Sequence, residues 1–168
     1  MREMSILRRK KVVMIGAFGV GKTSLVRRFV SNEFSADYQS TIGVQIEKRT
    51  VLVDGYEVEL HLWDLAGEDE FAFIRASHLK GASGTIFVAD RTRAVTVSKA
   101  LEIYSRFPKQ FGELPMCMLI NKSDLDSAVD LDEQLSTIPE DWMVMSTSAK
   151  TGEHVVSAFE WLAKKMVA

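Results

Sequence analysis

The stretch GAFGVGKT, residues 16–23, limits the possible folds of this chain more than any other. It matches G-x-x-x-x-G-K-[ST], a pattern in which glycines let successive backbone N–H groups turn inward around an anion at a helix N-terminus. The apolar run 11–16 precedes it as a buried strand should, and residues 22–32 follow with apolar side chains on one helical face. Because chance matches rarely fall at a strand–helix junction, the sequence predicts a phosphate-binding loop rather than a glycine-rich turn with a capping threonine.

The rest of the chain alternates apolar, β-rich runs with helical patterns. Residues 44–64 are predicted to form two strands joined by a tight turn at Asp54-Gly55. Further strands are predicted at 84–90, 115–121 and 141–146, and helices at about 94–107, 130–137 and 153–167. This order predicts one domain over residues 1–168, a three-layer α/β fold with a six-stranded, mainly parallel sheet, one antiparallel edge strand and helices on both faces. Ligands are then expected at the carboxyl ends of the parallel strands.

Composition excludes several classes of protein. The chain of 168 residues can bury a sizeable core, and its formal net charge of -2 disfavours a nucleic-acid binder that relies on bulk positive charge. The single Cys117 rules out an internal disulfide and fits a reducing compartment, so we expect a cytoplasmic protein. No apolar run is long enough to cross a membrane, and the final residues KKMVA offer no cysteine for lipidation. We therefore expect no lipid anchor in this chain, and membrane association only through a partner or a missing tail.

Two later motifs select the base of the expected nucleotide. NKSD (121–124) ends a predicted strand, and the carboxylate of Asp124 can accept both the ring N–H and the exocyclic amine of guanine. Adenine lacks this pair of donors and would leave the carboxylate unpaired, which disfavours a P-loop kinase or ATPase. STSAK (146–150) ends the last strand, where the Ala149 N–H can meet the guanine oxygen and the Lys150 stem can form a wall. Together with the phosphate loop, these motifs predict a guanine-nucleotide site.

With YQSTIGV (38–44), WDLAGE (63–68) and HLKGASGTIFVAD (78–90), the motifs make the chain resemble the Ras superfamily of small GTPases, and most of all its Rab group. The resemblance covers nearly all of residues 10–166. It implies a P-loop G domain that binds GTP or GDP with Mg²⁺, switches between two states and hydrolyses GTP. It assigns phosphate contacts to Gly16, Gly19, Val20, Gly21, Lys22, Thr23 and Ser24, with Phe18 in the same loop, and base contacts to Asn121, Lys122, Asp124, Ser148, Ala149 and Lys150.

The resemblance also assigns the metal and the switch. Thr23 and Thr41 are expected to ligate Mg²⁺, and Asp64 to hold the ion through water. Thr41 and Gly67 are expected to sense the γ-phosphate, so that both flanking loops loosen after hydrolysis. The remaining implied roles are Phe34 against guanine, Tyr38 over the phosphates, and a catalytic set of Lys22, Thr41, Gly67 and Glu68.

Two residues of the expected phosphate site depart from the family. Glu68 stands where a glutamine usually orients the attacking water, and an ionised glutamate accepts hydrogen bonds without donating any and repels the anionic γ-phosphate. We therefore expect slow GTP hydrolysis, unless Glu68 points into solvent. Phe18 replaces a small residue, and it either crowds the γ-phosphate or lies exposed or locally packed. Both departures keep an alternative open, a non-hydrolysing interaction module that holds its nucleotide permanently.

The resemblance implies protein partners rather than nucleic acid. Effectors, exchange factors and GTPase-activating proteins are expected to bind through residues 33–46 and 63–80 of a monomer. Ile46 and His78 stand where Rab-type proteins carry aromatic residues that face effectors. This departure disfavours Rab-type effectors.

Three further residues each admit two interpretations. Trp63 alternates with the apolar positions of its predicted strand, so its ring should face away from them and either join an effector surface or simply pack. Arg91 and Arg93 follow a predicted strand near the phosphates. Either arginine could reach the transition state in cis, but a solvated loop position is the favoured interpretation.

Overall fold

The computed structural model describes residues 6–36, 43–65 and 74–168, and its strands form one sheet. The strands are β1 (Leu7–Gly16), β2 (Val44–Val53), β3 (Tyr56–Leu65), β4 (Gly84–Asp90), β5 (Met116–Asn121) and β6 (Met143–Ser146). The helices within these ranges are α1 (Lys22–Ser31), α2 (Ala76–Leu79), α3 (Val95–Arg106), α4 (Pro108–Phe111), α5 (Leu131–Leu135) and α6 (Val155–Val167).

The sheet has the strand order β2-β3-β1-β4-β5-β6. The neighbouring strands β3, β1, β4, β5 and β6 pair in parallel, and β2 pairs antiparallel with β3 at the edge. Asp54 (φ 47°) and Gly55 (φ 80°) both adopt the left-handed conformation that a two-residue hairpin turn requires. The predicted fold class, with one antiparallel edge strand, is confirmed.

Alternation along the central strands creates a core on each face of the sheet. In β1, Val12 points to the layer that contains α1 and α6, and Val13 points to the layer that contains α3. Phe29 of α1 stacks on Phe159 of α6 with ring centroids 4.1 Å apart. Burying an aromatic side chain of this kind contributes roughly 1.5–3 kcal/mol, which fixes α1 and the loop before it against the sheet.

Element boundaries differ from the prediction where hydrophobicity is a weak guide. Strand β1 begins at Leu7, because Leu7 to Lys10 pair with Glu57 to Leu60 of β3 although most of these β1 residues are polar and exposed. The single-turn helices α2 and α4 are too short to show a helical period, and α5 ends at Leu135 rather than at 137. None of the helices in the described ranges is both long enough and apolar enough to cross a membrane.

Candidate functional site

The loop between β1 and α1 has the backbone shape of an anion nest. Gly19 (φ 75°) and Gly21 (φ 101°) are left-handed, which turns successive peptide groups toward one side. A Cβ on Gly21 would lie 2.3 Å from Nδ2 of Asn121, so this position needs glycine for space as well as for conformation. Gly21 is the N-cap of α1 and has no side chain with which to cap it, so the helix presents its N-terminal end to the loop.

Lys22, the first residue of α1, is folded back into the loop. It is buried, and its ammonium donates hydrogen bonds to the carbonyl oxygens of Gly16 and Ala17, the second at 3.2 Å. A positive charge thus lies among the glycines, where the motif predicts a lysine that reaches a phosphate.

Thr23 and Asp64 bring two oxygen groups together below the loop. The Thr23 hydroxyl donates to Oδ2 of Asp64 at 2.5 Å, and Asp64 is only 1% exposed. Burial raises the pKa of Asp64 above its usual value, against the opposing influence of Thr23 and Lys22. Oδ1 of Asp64 is buried and has no hydrogen-bond partner among the described residues. A hydroxyl beside a carboxylate with an unused oxygen fits a hard cation such as Mg²⁺.

Asn121, at the end of β5, connects the phosphate loop with the loop after β6. Its Nδ2 donates to the carbonyl of Val20 at 3.0 Å, and its Oδ1 accepts from the Thr147 hydroxyl and the Ala149 N–H, both at 3.3 Å. The Ala149 N–H, expected to meet the guanine oxygen, therefore makes a long hydrogen bond to Asn121 here.

Asp124 lies next to the same loop with its carboxylate already oriented. The Ser148 hydroxyl donates to Oδ1 of Asp124 at 2.7 Å, and the aspartate is exposed. Lys150 is exposed at the end of the loop. The parallel strands β5 and β6 thus bring NKSD and STSAK side by side at their carboxyl ends.

Arg28 of α1 holds this loop against the helix, a role that the sequence did not predict. Its Nε donates to the Ala149 carbonyl at 2.7 Å, and its Nη2 donates to the Lys150 carbonyl at 2.6 Å. A sequence motif cannot reveal this role, because both acceptors are backbone oxygens more than a hundred residues away along the chain.

A buried carboxylate, Asp90 at the end of β4, gathers four donors. Oδ2 accepts from Nζ of Lys122 at 2.8 Å and from Nε of Arg93 at 3.1 Å, and Oδ1 accepts from the N–H and hydroxyl of Thr92. Burial pushes the pKa of Asp90 up, but these donors outweigh it and hold the pKa below its usual value. Nη2 of Arg93 also donates to the Phe18 carbonyl at 2.7 Å. Arg93 therefore lies in an exposed turn, as the favoured interpretation expected, and its guanidinium also joins Asp90 to the phosphate loop.

Comparison with known proteins identifies the lineage of this site. A model of the Ras family matches residues 11–168. The chain belongs to the Ras family. It is 35% identical over 161 residues to the Ras-related protein Rab-1 of Theileria annulata, covering 93% of this chain and 73% of that protein. It is 34% identical to RABA5c of Arabidopsis thaliana (93% and 75% covered) and 35% identical to human Rab-25 (94% and 76% covered). Within the Ras family it is therefore a Rab-like small GTPase, a guanine-nucleotide-binding switch.

Several of the residues expected to act in this Ras-family site lie outside the described ranges. These are Tyr38, Thr41, Gly67 and Glu68, and their roles stay predictions. Phe18 and Phe34 are described and are 40% and 39% exposed, at the loop before α1 and just after α1. Among the described residues, neither ring belongs to the two buried clusters on the faces of the sheet.

Trp63 faces away from Val58, Leu60 and Leu62 of β3, as its alternation predicted. Its ring is half-buried against the core layer that contains α3, and the Lys11 ammonium lies 3.7 Å from the ring centroid. Ile46 pairs with Trp63 across β2 and β3 and is exposed. Nδ1 of His78 accepts from the Arg75 N–H at 3.0 Å. The Lys11 ammonium thus covers one face of Trp63, which was predicted either to join an effector surface or to pack.

Proposed function

We propose that the chain is a Mg²⁺-dependent switch that binds GTP or GDP and hydrolyses GTP slowly, as a monomer in which residues 1–168 form one domain. The observation that supports this best is the bridge made by Asn121 between the phosphate loop and the loop after β6. A nucleotide lying across these two loops would meet positive charge and inward N–H groups at one end, and the Asp124 carboxylate at the other.

In this proposal each end of the nucleotide has its own contacts. Phosphate contacts come from Gly16, Phe18, Gly19, Val20, Gly21, Lys22, Thr23 and Ser24, and base contacts from Phe34, Asn121, Lys122, Asp124, Ser148, Ala149 and Lys150. Thr23 and Thr41 would ligate Mg²⁺ and Asp64 would hold it through water, and Tyr38 would lie over the phosphates. Once bound, the ion neutralises charge on the phosphate oxygens.

Hydrolysis is proposed as in-line attack of water on the γ-phosphorus. The bond to the oxygen that bridges the β- and γ-phosphates breaks, and GDP and inorganic phosphate leave. The Lys22 ammonium and the loop N–H groups stabilise the charge that moves onto the oxygens, and the Gly67 N–H contacts the γ-phosphate. Glu68 can accept a hydrogen bond from water but cannot donate to the phosphate, so one oriented contact is missing.

The hydrolysis rate tests this proposal. The nucleotide retained on purification is identified by chromatography, and single-turnover hydrolysis is then measured for wild type, Glu68→Gln and the matched control Glu70→Gln. Loss of one oriented contact of this type costs about 10²–10³ in rate, so we expect Glu68→Gln to raise the rate at least about tenfold. Glu70→Gln should leave the rate near wild type.

A Glu68→Gln variant that is unchanged or slower than wild type would contradict the rate proposal. A retained adenine nucleotide would contradict the whole function. An inert interaction module, by contrast, would show no turnover even when phosphate release is measured with added cell extract.

We further propose that residues 33–46 and 63–80 form the surface for effectors, exchange factors and activating proteins. In sequence these ranges contain Thr41, Asp64 and Gly67, the proposed metal and γ-phosphate contacts, so partner binding through them can depend on the γ-phosphate. We expect cell extract to raise the rate at which the wild-type protein hydrolyses GTP. Trp63→Ala should reduce this rise.

A further inference from the structure

We propose that Arg93 is a positioning residue that orients one peptide of the phosphate loop, so that the Gly19 N–H points at the nucleotide phosphates. The inference rests on the proposed function, since it concerns the same nucleotide. It assigns Arg93 to the binding site through backbone geometry, without any contact between the guanidinium and the nucleotide.

The argument starts from the geometry of a peptide bond. The described residues contain no cis peptide bond, so the C=O and N–H of each peptide point in opposite directions. Nη2 of Arg93 donates to the Phe18 carbonyl at 2.7 Å. The N–H of the same peptide, which belongs to Gly19, must therefore point away from Arg93, and the proposal places the nucleotide phosphates on that side.

The same device occurs two residues later. Nδ2 of Asn121 holds the Val20 carbonyl at 3.0 Å, which turns the N–H of Gly21 inward in the same way. Both glycines are left-handed, the conformation in which alternate peptides can be turned toward an anion. Two side chains at the carboxyl ends of the parallel strands thus orient two N–H donors of the phosphate loop before a ligand binds.

Arg93 can do this because its own position is fixed. Its Nε donates to Oδ2 of Asp90 at 3.1 Å while Nη2 reaches the loop, so two nitrogens of the planar guanidinium span two acceptors for which a lysine would have only one nitrogen. Asp90 is 1% exposed and is held in turn by Thr92 and by Lys122 of NKSD. A Cβ on Gly19 would lie 3.5 Å from Nη2, so the guanidinium packs directly against this turn of the loop.

Asp90 therefore links the base motif and the phosphate loop. Oδ2 of Asp90 is shared by Lys122, which follows β5, and by Arg93, which precedes α3. Loosening of the base loop would move Asp90, and through Arg93 it would also disturb the peptide that presents the Gly19 N–H. Loss of the base contacts would thus also weaken the phosphate contacts, and the nucleotide would leave as soon as the base loop loosens.

Nucleotide release tests the inference. Release of a fluorescent methylanthraniloyl-GDP is measured in excess GDP for wild type, Arg93→Ala, Arg93→Lys and Lys99→Ala. Lys99 is an exposed cation on α3, the helix that follows Arg93. Arg93 is 42% exposed in its side chain, which limits the effect, so we expect Arg93→Ala to release GDP about three- to tenfold faster. Arg93→Lys should fall between Arg93→Ala and wild type, and Lys99→Ala should match wild type.

A second measurement separates orientation from general loosening. Competition by GDP and by guanosine is compared, because only GDP carries phosphates for the Gly19 N–H. Arg93→Ala should weaken GDP while leaving guanosine unchanged. Equal weakening of both, or a release rate within about twofold of wild type, overturns the role of Arg93. A wild-type protein that binds no guanine nucleotide overturns the proposed function and this inference together.

Discussion

Single residues in this chain acquire their chemistry from burial and from partners far along the sequence. Lys22 and Asn121 could be predicted because their motifs are local, so the residue type and the spacing carry the signal. Arg93 could not, because its acceptor in the phosphate loop is a backbone carbonyl 75 residues away. A carbonyl is present at every position, so a pattern search has nothing with which to pair the arginine.

Cys117 shows the same dependence on surroundings and allows a direct test. It is fully buried in β5, and burial raises the pKa of its thiol to about 12. At pH 8 only about one thiol in ten thousand is then ionised, and the thiolate is the reactive form. A disulfide reagent should leave the native protein unlabelled for hours and label it promptly in guanidinium chloride. Rapid labelling under native conditions would contradict this.

At the scale of elements, hydrophobic periodicity predicted the strands and the long helices, and pairing decided their ends. The core runs of β4 and β5 lie at or within one residue of the predicted bounds because both strands are buried throughout. The early part of β1 is polar, and only its pairing with β3 makes it a strand. Single-turn helices such as α2 leave no period in the sequence at all.

The attachment of α1 to the loop after β6 can be tested through Arg28. Arg28→Ala removes the hydrogen bonds from Arg28 to the carbonyls of Ala149 and Lys150. The Lys150 stem, proposed to pack against the base, is then held less firmly. A charged donor is worth about 1.5–3 kcal/mol before discounting for exposure, so we expect GDP release to rise about tenfold. Arg28→Lys keeps one donor nitrogen in place of two, so its GDP release should rise less. Release that is unaffected in both variants would show that the loop holds its position without the arginine.

At the scale of the whole molecule, the parallel topology determines where the site lies, and this topology was predicted from the sequence. Parallel strands β1, β4, β5 and β6 all end at one edge, and the phosphate loop, Asp90, NKSD and STSAK each follow one of these ends. The motifs were therefore predictable as a cluster once the sheet was predicted to be parallel. The hydrogen bonds that join them were not, since they depend on side-chain conformations that only the packed molecule determines.

Because the site draws on several strands, removal of Mg²⁺ should weaken the whole fold. Chelation with EDTA in the presence of GDP lowers nucleotide affinity, and a ligand at a hundred times its Kd contributes about 2.7 kcal/mol of stability. We expect the unfolding temperature to fall by roughly 5–10 °C and to recover when Mg²⁺ is restored. Asp64→Ala should start from the lower temperature and respond little to EDTA. A wild-type unfolding temperature indifferent to EDTA would contradict the assignment of Thr23 and Asp64 to the metal.

The edges of the sheet have a consequence for how the protein behaves when it is crowded. A long, apolar edge strand invites another chain to pair with it and begin a fibril. At one edge of the described sheet, the middle of β2 carries Glu47, Lys48 and Arg49, whose charges repel or misalign an incoming strand. At the other edge, β6 is only four residues long and offers too short a template. Both edges of this mixed sheet therefore disfavour pairing with a strand of another chain.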